Sequence, residues 1–361
     1  MGNKRIKKLA AAVCMTVVSL AAGIMTTAAL CPSAAASLQT QAKAITTVKK
    51  KQNIKMKKLT PALKRKIAAS TPAENAGSDL TLRYPAARLT TARLPQGYTH
   101  DDTYYYYLSQ IANTGKHKND LRLTRIKYRG IGKYTVEYMT LKRFGHGTNL
   151  DCAQADGVTW LWTGSNAAGS GGPTTAITCF RFRPGTTLRR QGQYTYRIPV
   201  SGSAGRKASN CYPAISADGT ELAVRFTISG GQQFQIYNLK DGNTIRPKKV
   251  KKTVRLKSTP GDFQGFDICG TTIYTLEGTR SRSEMRELGR ASEFAPIRIR
   301  TYDYSTGAST VQKIRGAKAI SHREPEGIQV AADGTIELMI ASHYKELYTC
   351  VNIYEVKGGT K

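Results

Sequence analysis

From residue 95 to residue 356 short apolar runs alternate with Gly, Asp and Asn turns, and no run holds a long helical period. One unit reads YPAISADGT from Tyr212, then ELAVRFTI, then FQIYNLKDG. Another reads EGIQVAADGT from Glu326, then IELMIAS, then CVNIYEVKG. Each predicts a strand, an Asp-Gly hairpin, a second strand, a loop and a third strand. Three weaker copies follow the same order. They begin QGFDICGTTIYTLEG at Gln264, HGTNLDCAQADGVTWLWTG at His146 and QGYTHDDTYYYYLSQ at Gln96. Fourth strands fit YTVEYMTL, QYTYRIPV, KTVRLK and VQKIRG.

Five four-stranded units in tandem predict an all-β fold, a five-bladed β-propeller. The chain ends one strand short of a complete fifth blade. LTLRYPAARL, residues 80–89, can supply that strand and close the ring from the N-terminal side. Closure hides sheet edges that would otherwise pair with other chains. An open β-sandwich or solenoid has similar strand spacing and is the alternative.

In a propeller the first strand of each blade lines the channel, and the residues before it ring one mouth. Those places hold Gln96-Gly97, His146-Gly147, Tyr212-Pro213, Gln264-Gly265 and Glu326-Gly327. Gly lets backbones crowd near an axis. The polar neighbours, with Asp267, Glu324 and His322 close in sequence, form the candidate ligand site. Two other roles compete. Such groups also bond the backbones of adjacent blades. Glu324 with Glu326 could serve glycoside chemistry. His146, His322 and Asp267 form a weak metal set, and the reading assigns no metal. The chain has no G-x-S-x-G elbow, no H-E-x-x-H and no P-loop. No motif implies a cofactor. The run Tyr104 to Tyr107, and Trp160 with Trp162 on one strand face, are read as packing between blades.

Charge and the first residues place this domain in context. Lys and Arg number 55 against 24 acids in 361 residues, a net charge of +31. Such a balance invites a polyanion. Lys4, Arg5, Lys7 and Lys8 precede an apolar stretch to Leu30, and Ala34-Ala35-Ala36 follows. Residues 1–36 therefore read as a secretory signal peptide, with an uncleaved anchor as the alternative. Export makes nucleic acid a poor partner. It points to an anionic wall glycopolymer or a bacterial surface, and to a secreted, wall-associated protein. A membrane is reached only through an uncleaved signal or the basic tail. That tail, residues 37–78, reads as disordered and carries Lys49, Lys50, Lys51, Lys57, Lys58, Lys64, Arg65 and Lys66. The propeller takes residues 79–361. Five cysteines follow the signal, Cys152, Cys179, Cys211, Cys269 and Cys350, so at most two disulfides can form.

FGHGTNLDC from Phe144, EPEGIQ from Glu324 and the early QG before a Tyr-rich strand resemble the helveticin J family. The likeness spans residues 80–357. Those proteins are large secreted bacteriocins of Gram-positive bacteria. Related propellers occur in phage receptor-binding proteins and in proteins named for teichoic acid biosynthesis. The resemblance implies a secreted antibacterial protein, or a binder of wall glycopolymer, on a five-bladed propeller. It transfers to Gly145, His146, Gly147, Glu324, Glu326 and Gly327, with no catalytic role attached. A glycan hydrolase or lyase and a non-killing adhesin are the rival functions.

Overall fold

The computed structural model describes residues 78–358, apart from 90–92, 113–114, 130–132, 168–172, 190–193, 198–207, 229–230, 241–243, 256–261, 318–321 and 345–347. Strand β1 is Leu80–Arg88. Blade 1 holds β2 (Pro95–His100), β3 (Tyr105–Gln110), β4 (Leu121–Tyr128) and β5 (Tyr134–Lys142). Blade 2 holds β6 (Leu150–Ala155), β7 (Val158–Ser165) and β8 (Ala176–Phe180). A short β9 (Thr187–Arg189) then joins β5 in parallel, and β10 (Tyr194–Arg197) completes blade 2. Blade 3 is β11 (Ser209–Ile215), β12 (Glu221–Ile228), β13 (Gly231–Lys240) and β14 (Thr244–Arg255). Blade 4 is β15 (Phe263–Cys269), β16 (Thr272–Glu277), then helix α1 (Arg282–Glu287), β17 (Arg298–Asp303) and β18 (Ser309–Lys313). Blade 5 is β19 (Glu324–Val330), β20 (Ile336–Tyr344) and β21 (Tyr348–Val356).

Blade 5 is completed by β1, which pairs antiparallel with β21, Leu80 opposite Val356 and Leu82 opposite Tyr354. The expected closure by the N-terminal strand is therefore present. The ring is an all-β five-bladed propeller with four-stranded blades.

The pattern of burial explains why these runs fold this way. Strand β12 is buried at seven of its eight positions because blades cover both its faces. Outer β18 is exposed at four of five positions. The core is divided into five layers, one in each gap between neighbouring blades. Trp162 and Phe226 fill gap 2–3, Phe234 and Phe266 gap 3–4, and Leu276 and Ile340 gap 4–5. Tyr98 and Ile353 fill gap 5–1, and Leu123 and Leu161 gap 1–2. Truncating a wholly buried residue such as Ile340 to Ala is expected to remove about 2–5 kcal/mol.

Between blades, as predicted, Tyr106 packs in gap 1–2, Tyr107 in gap 5–1 and Trp162 in gap 2–3. Tyr107 is sealed from solvent and stacks near Tyr98 at 6.2 Å. Trp162 stacks on Tyr196 at 5.7 Å. Cys152, Cys179, Cys211 and Cys269 are free thiols. Cys179 and Cys211 share gap 2–3, and burial pushes the Cys211 thiol up to about 12.

Candidate functional site: the channel mouth

Crowding at the axis sets the geometry of the mouth. A Cβ on Gly97 would lie 2.7 Å from the Gly147 carbonyl oxygen. One on Gly265 would lie 3.2 Å from Asn149 Oδ1. Asn149 occupies the cleared space. Its Nδ2 donates to the Pro213 and Phe266 carbonyls at 2.7 and 3.0 Å, and its Oδ1 accepts from Phe266 N–H at 3.1 Å. One amide thereby ties blade 2 to blades 3 and 4.

This corrects the register of blade 2. Asp151 faces Trp162 as Asp267 faces Tyr274, so Asn149 stands where Gly265 stands in blade 4. Thr148, rather than His146, is the ring neighbour of Gln96, Tyr212, Gln264 and Glu326. His146 lies two residues upstream on the loop, exposed, with Nδ1 3.2 Å from Thr148 Oγ1.

The ring residues do different things. Gln96 Nε2 donates to Glu326 Oε1 at 3.4 Å across the gap between blades 1 and 5. Gln264 turns away, and its Nε2 donates to the Gly278 carbonyl at 2.9 Å. Tyr212 is buried and bonds to the side chain of Thr148. Burial, followed by the charge of Glu324, holds the Glu326 carboxyl well above its usual range, favouring its protonated form. Burial also lowers the His146 pKa, against an opposing pull from Glu324.

The connection between β16 and β17 adds residues that the sequence reading missed. Ser281 accepts the Glu284 N–H at 3.4 Å and starts α1, and buried Met285 anchors it. The signal was the S-x-x-E spacing of Ser281 and Glu284. The Ser281 N–H donates to the His322 carbonyl at 2.8 Å, which docks the insert beside β19. His322 then lies between two carboxylates, 2.8 Å from Glu284 Oε1 and 2.7 Å from Glu324 Oε2. Arg280 Nε donates to Glu324 Oε2 at 3.1 Å. Burial acts to raise the Glu324 pKa, but His322 and Arg280 outweigh it and hold the group below its usual value.

Asp267 sits deeper than the mouth. Its carboxylate accepts Ile268 N–H at 2.7 Å and Val330 N–H at 2.6 Å, pinning blade 4 to blade 5. Asp151 does the same for blades 2 and 3 through Ile215 N–H at 2.6 Å, and it also accepts from Thr99 Oγ1. The two carboxyls bond to each other. Burial is the main force raising both, Asp151 to about 6 and Asp267 further because of the Asp151 charge. This is the competing, structural role foreseen for such groups. The set His146, His322 and Asp267 does not converge. Among the described residues no group of three or more His, Cys, Asp or Glu is placed to hold a metal ion. The signal peptide and the tail residues Lys49 to Lys66 lie outside the described residues.

Comparison with known proteins agrees with this architecture. A protein of Bacillus subtilis (strain 168) named for major teichoic acid biosynthesis (protein C) is 24% identical over 255 residues, 67% of this chain and 53% of that protein. The tail fiber of Staphylococcus aureus phage P68 superposes with a TM-score of 0.55 at 15% identity, covering 77% of this chain and 52% of the fiber. This chain thus spans about half the length of each. A thermostable family-43 glycoside hydrolase matches more loosely, at TM-score 0.44 and 12% identity, over 76% of this chain and 92% of its own. The family described as phage 5-bladed beta propeller receptor binding platform domain matches residues 95–337, two thirds of the sequence and every blade, and the chain belongs to that family.

Proposed function

We propose that this protein is an exported receptor-binding propeller that grips an anionic glycopolymer of the bacterial envelope at the channel mouth. One observation carries the reading. Blades 1, 2, 4 and 5 deliver Gln96, His146, Arg280, Glu324 and Glu326 to one end of the ring. Such a concave cluster of donors and acceptors suits hydroxyl-rich chains. The family name and the teichoic acid relative support a surface polymer as partner. The net charge, +31 for the whole sequence and 51 − 24 = +27 without Lys4, Arg5, Lys7 and Lys8 of the signal, adds a salt-sensitive attraction, and the lysines at 49–51 are its densest run. Inhibition of competing bacteria, as in the helveticin J proteins, is the finer form of this proposal.

The test is sedimentation with purified Gram-positive walls, before and after teichoic acid extraction, across a salt series. Binding is expected to drop on extraction and with salt. Glu326→Gln and His146→Ala are expected to weaken it, and a growth-inhibition assay on the same strain tests killing. Binding indifferent to extraction would sink the glycopolymer reading.

A second reading has one observation behind it. His322 and Arg280 lower the Glu324 pKa, while burial and the Glu324 charge raise that of Glu326, two residues on. Two carboxyls with opposed shifts are the arrangement an acid–base hydrolase uses. It requires soluble fragments released from walls, and loss of release with binding kept in Glu326→Gln.

A further inference from the structure

Arg225 lies on β12 at the level of the mouth, directly across the sheet from Tyr212. Its guanidinium carbon sits 3.7 Å from the centre of the Phe263 ring and 5.9 Å from that of Tyr212. Phe263 opens the first strand of blade 4, so the guanidinium fills the rim of gap 3–4. Only 6% of Arg225 is exposed. Its Nε is sealed from solvent and has no hydrogen-bond partner among the described residues. Among the described residues no carboxylate acts on its charge, and Tyr212 is the neighbour that favours it.

Arg122 also buries an Nε with no hydrogen-bond partner among the described residues and stacks on Tyr138 at 4.0 Å, whereas three other arginines are treated differently. The side chains of Arg125, Arg280 and Arg300 are 18%, 33% and 24% exposed, and each faces a carboxylate. Arg225 is the more deeply buried, yet it is left uncompensated. Desolvation lowers its pKa to about 10, so it stays charged at neutral pH. A buried cation with no counter-charge destabilises a fold. This position also lacks the axis pin found elsewhere. Gaps 1–2, 2–3, 4–5 and 5–1 are bridged at the ring level by Thr99, Asp151, Asp267 and Gln329. Blade 3 offers the apolar Ile215 at that level instead.

We propose that the Arg225 guanidinium, walled by Tyr212 and Phe263, is a phosphate subsite that takes one phosphodiester of the bound polymer. The claim rests on the glycopolymer reading and names the unit recognised. A guanidinium presents paired N–H donors that match the two non-ester oxygens of a phosphodiester. The aromatic walls exclude water and offer faces to the flanking polyol or sugar. The rim links this subsite to the rest of the mouth, since Tyr212 bonds Thr148 and Thr148 bonds His146.

The test uses the full chain and dimethyl phosphate as the probe. The Nε–Hε resonance of Arg225, assigned by its disappearance in Arg225→Lys, is followed by NMR during titration. A saturable shift is expected, with a much weaker response to acetate. Dimethyl phosphate is expected to compete with walls, and Arg225→Met to lower wall affinity about tenfold, with Arg225→Lys between them. No shift with dimethyl phosphate, or an equal shift with acetate, overturns the subsite. So does wild-type wall binding by Arg225→Met. A shift without any wall binding keeps the subsite and removes the glycopolymer reading. Circular dichroism of both variants separates lost recognition from lost folding.

Discussion

The two sides of the mouth handle charge in opposite ways. On the blade 4–5 side, Arg280, Glu284, His322 and Glu324 satisfy one another through contacts of 2.7 to 3.7 Å. On the blade 3–4 side, Arg225 has aromatic rings and, among the described residues, no acid. A ligand gains little from a charge already paired, because forming the new contact breaks an old one. It gains most from a group whose desolvation nothing yet offsets. The paired side therefore shapes the mouth, and the unpaired side attracts.

The sharpest way to break this contrast is His322→Ala. His322 is 3% exposed and separates two carboxylates. Removing it leaves Glu284 and Glu324 without the ring that bridges them, which is expected to destabilise the fold by about 2–4 kcal/mol. Urea unfolding measures it. A loss within ~0.5 kcal/mol would mean that the paired side does not hold its own shape.

The axis beneath both sides is the next place to press. Asp151 and Asp267 bind a proton more tightly in the folded chain than in the unfolded one. Their contribution is full below the ordinary value of 3.8. It fades as pH rises through about 6 for Asp151 and higher for Asp267. Relative to Asp267→Asn, wild type is expected to lose about 1–3 kcal/mol between pH 4 and pH 7.5. Urea midpoints across that range test it, and parallel curves for the two proteins would show that the pair does not share a proton.

Replacing Arg225 with Met is expected to move stability the other way. An apolar side chain of similar length suits a pocket built by Phe263 and Tyr212. Stability should stay level or rise by about 1 kcal/mol while wall binding falls. A fall in both would make Arg225 a packing residue.

What was legible in the sequence follows from what repeats. Tandem units such as ELAVRFTI and IELMIAS report strands buried on both faces, and the missing strand at the C-terminal end pointed to β1. The axis in blade 2 was misread because Gly147 follows a polar residue, as Gly97 and Gly265 do. Space near an axis can be left by Gly or filled by an amide that bonds across it, and Asn149 does the latter. Arg225 was invisible because it sits on a second strand inside an apolar run. Only the neighbouring blade reveals that no acid among the described residues reaches it. Arg280 and Glu284 belong to an insert that no other blade repeats, so periodicity could not find them.

The smallest effect is expected at His146. It is exposed, and its ring contacts Thr148 alone among the described residues' hydrogen-bond partners. His146→Ala should leave stability within ~0.5 kcal/mol. Its pKa lies below the ordinary 6.5: the ring edge reaches solvent, but the protein crowded around it in the mouth desolvates it enough to outweigh the Glu324 charge. The ring is therefore neutral at pH 7, and its share of wall affinity should stay flat from pH 7 to pH 8. As pH falls well below 6.5 the ring gains a proton and faces an anionic polymer, so affinity should rise severalfold. That rise should vanish in His146→Ala and persist in Arg225→Lys, since Arg225 is charged throughout. A wall-binding pH series on the three proteins decides it. If the rise survives in His146→Ala, the neutral imidazole lies outside the binding surface and the unpaired side of the mouth attracts the polymer without it.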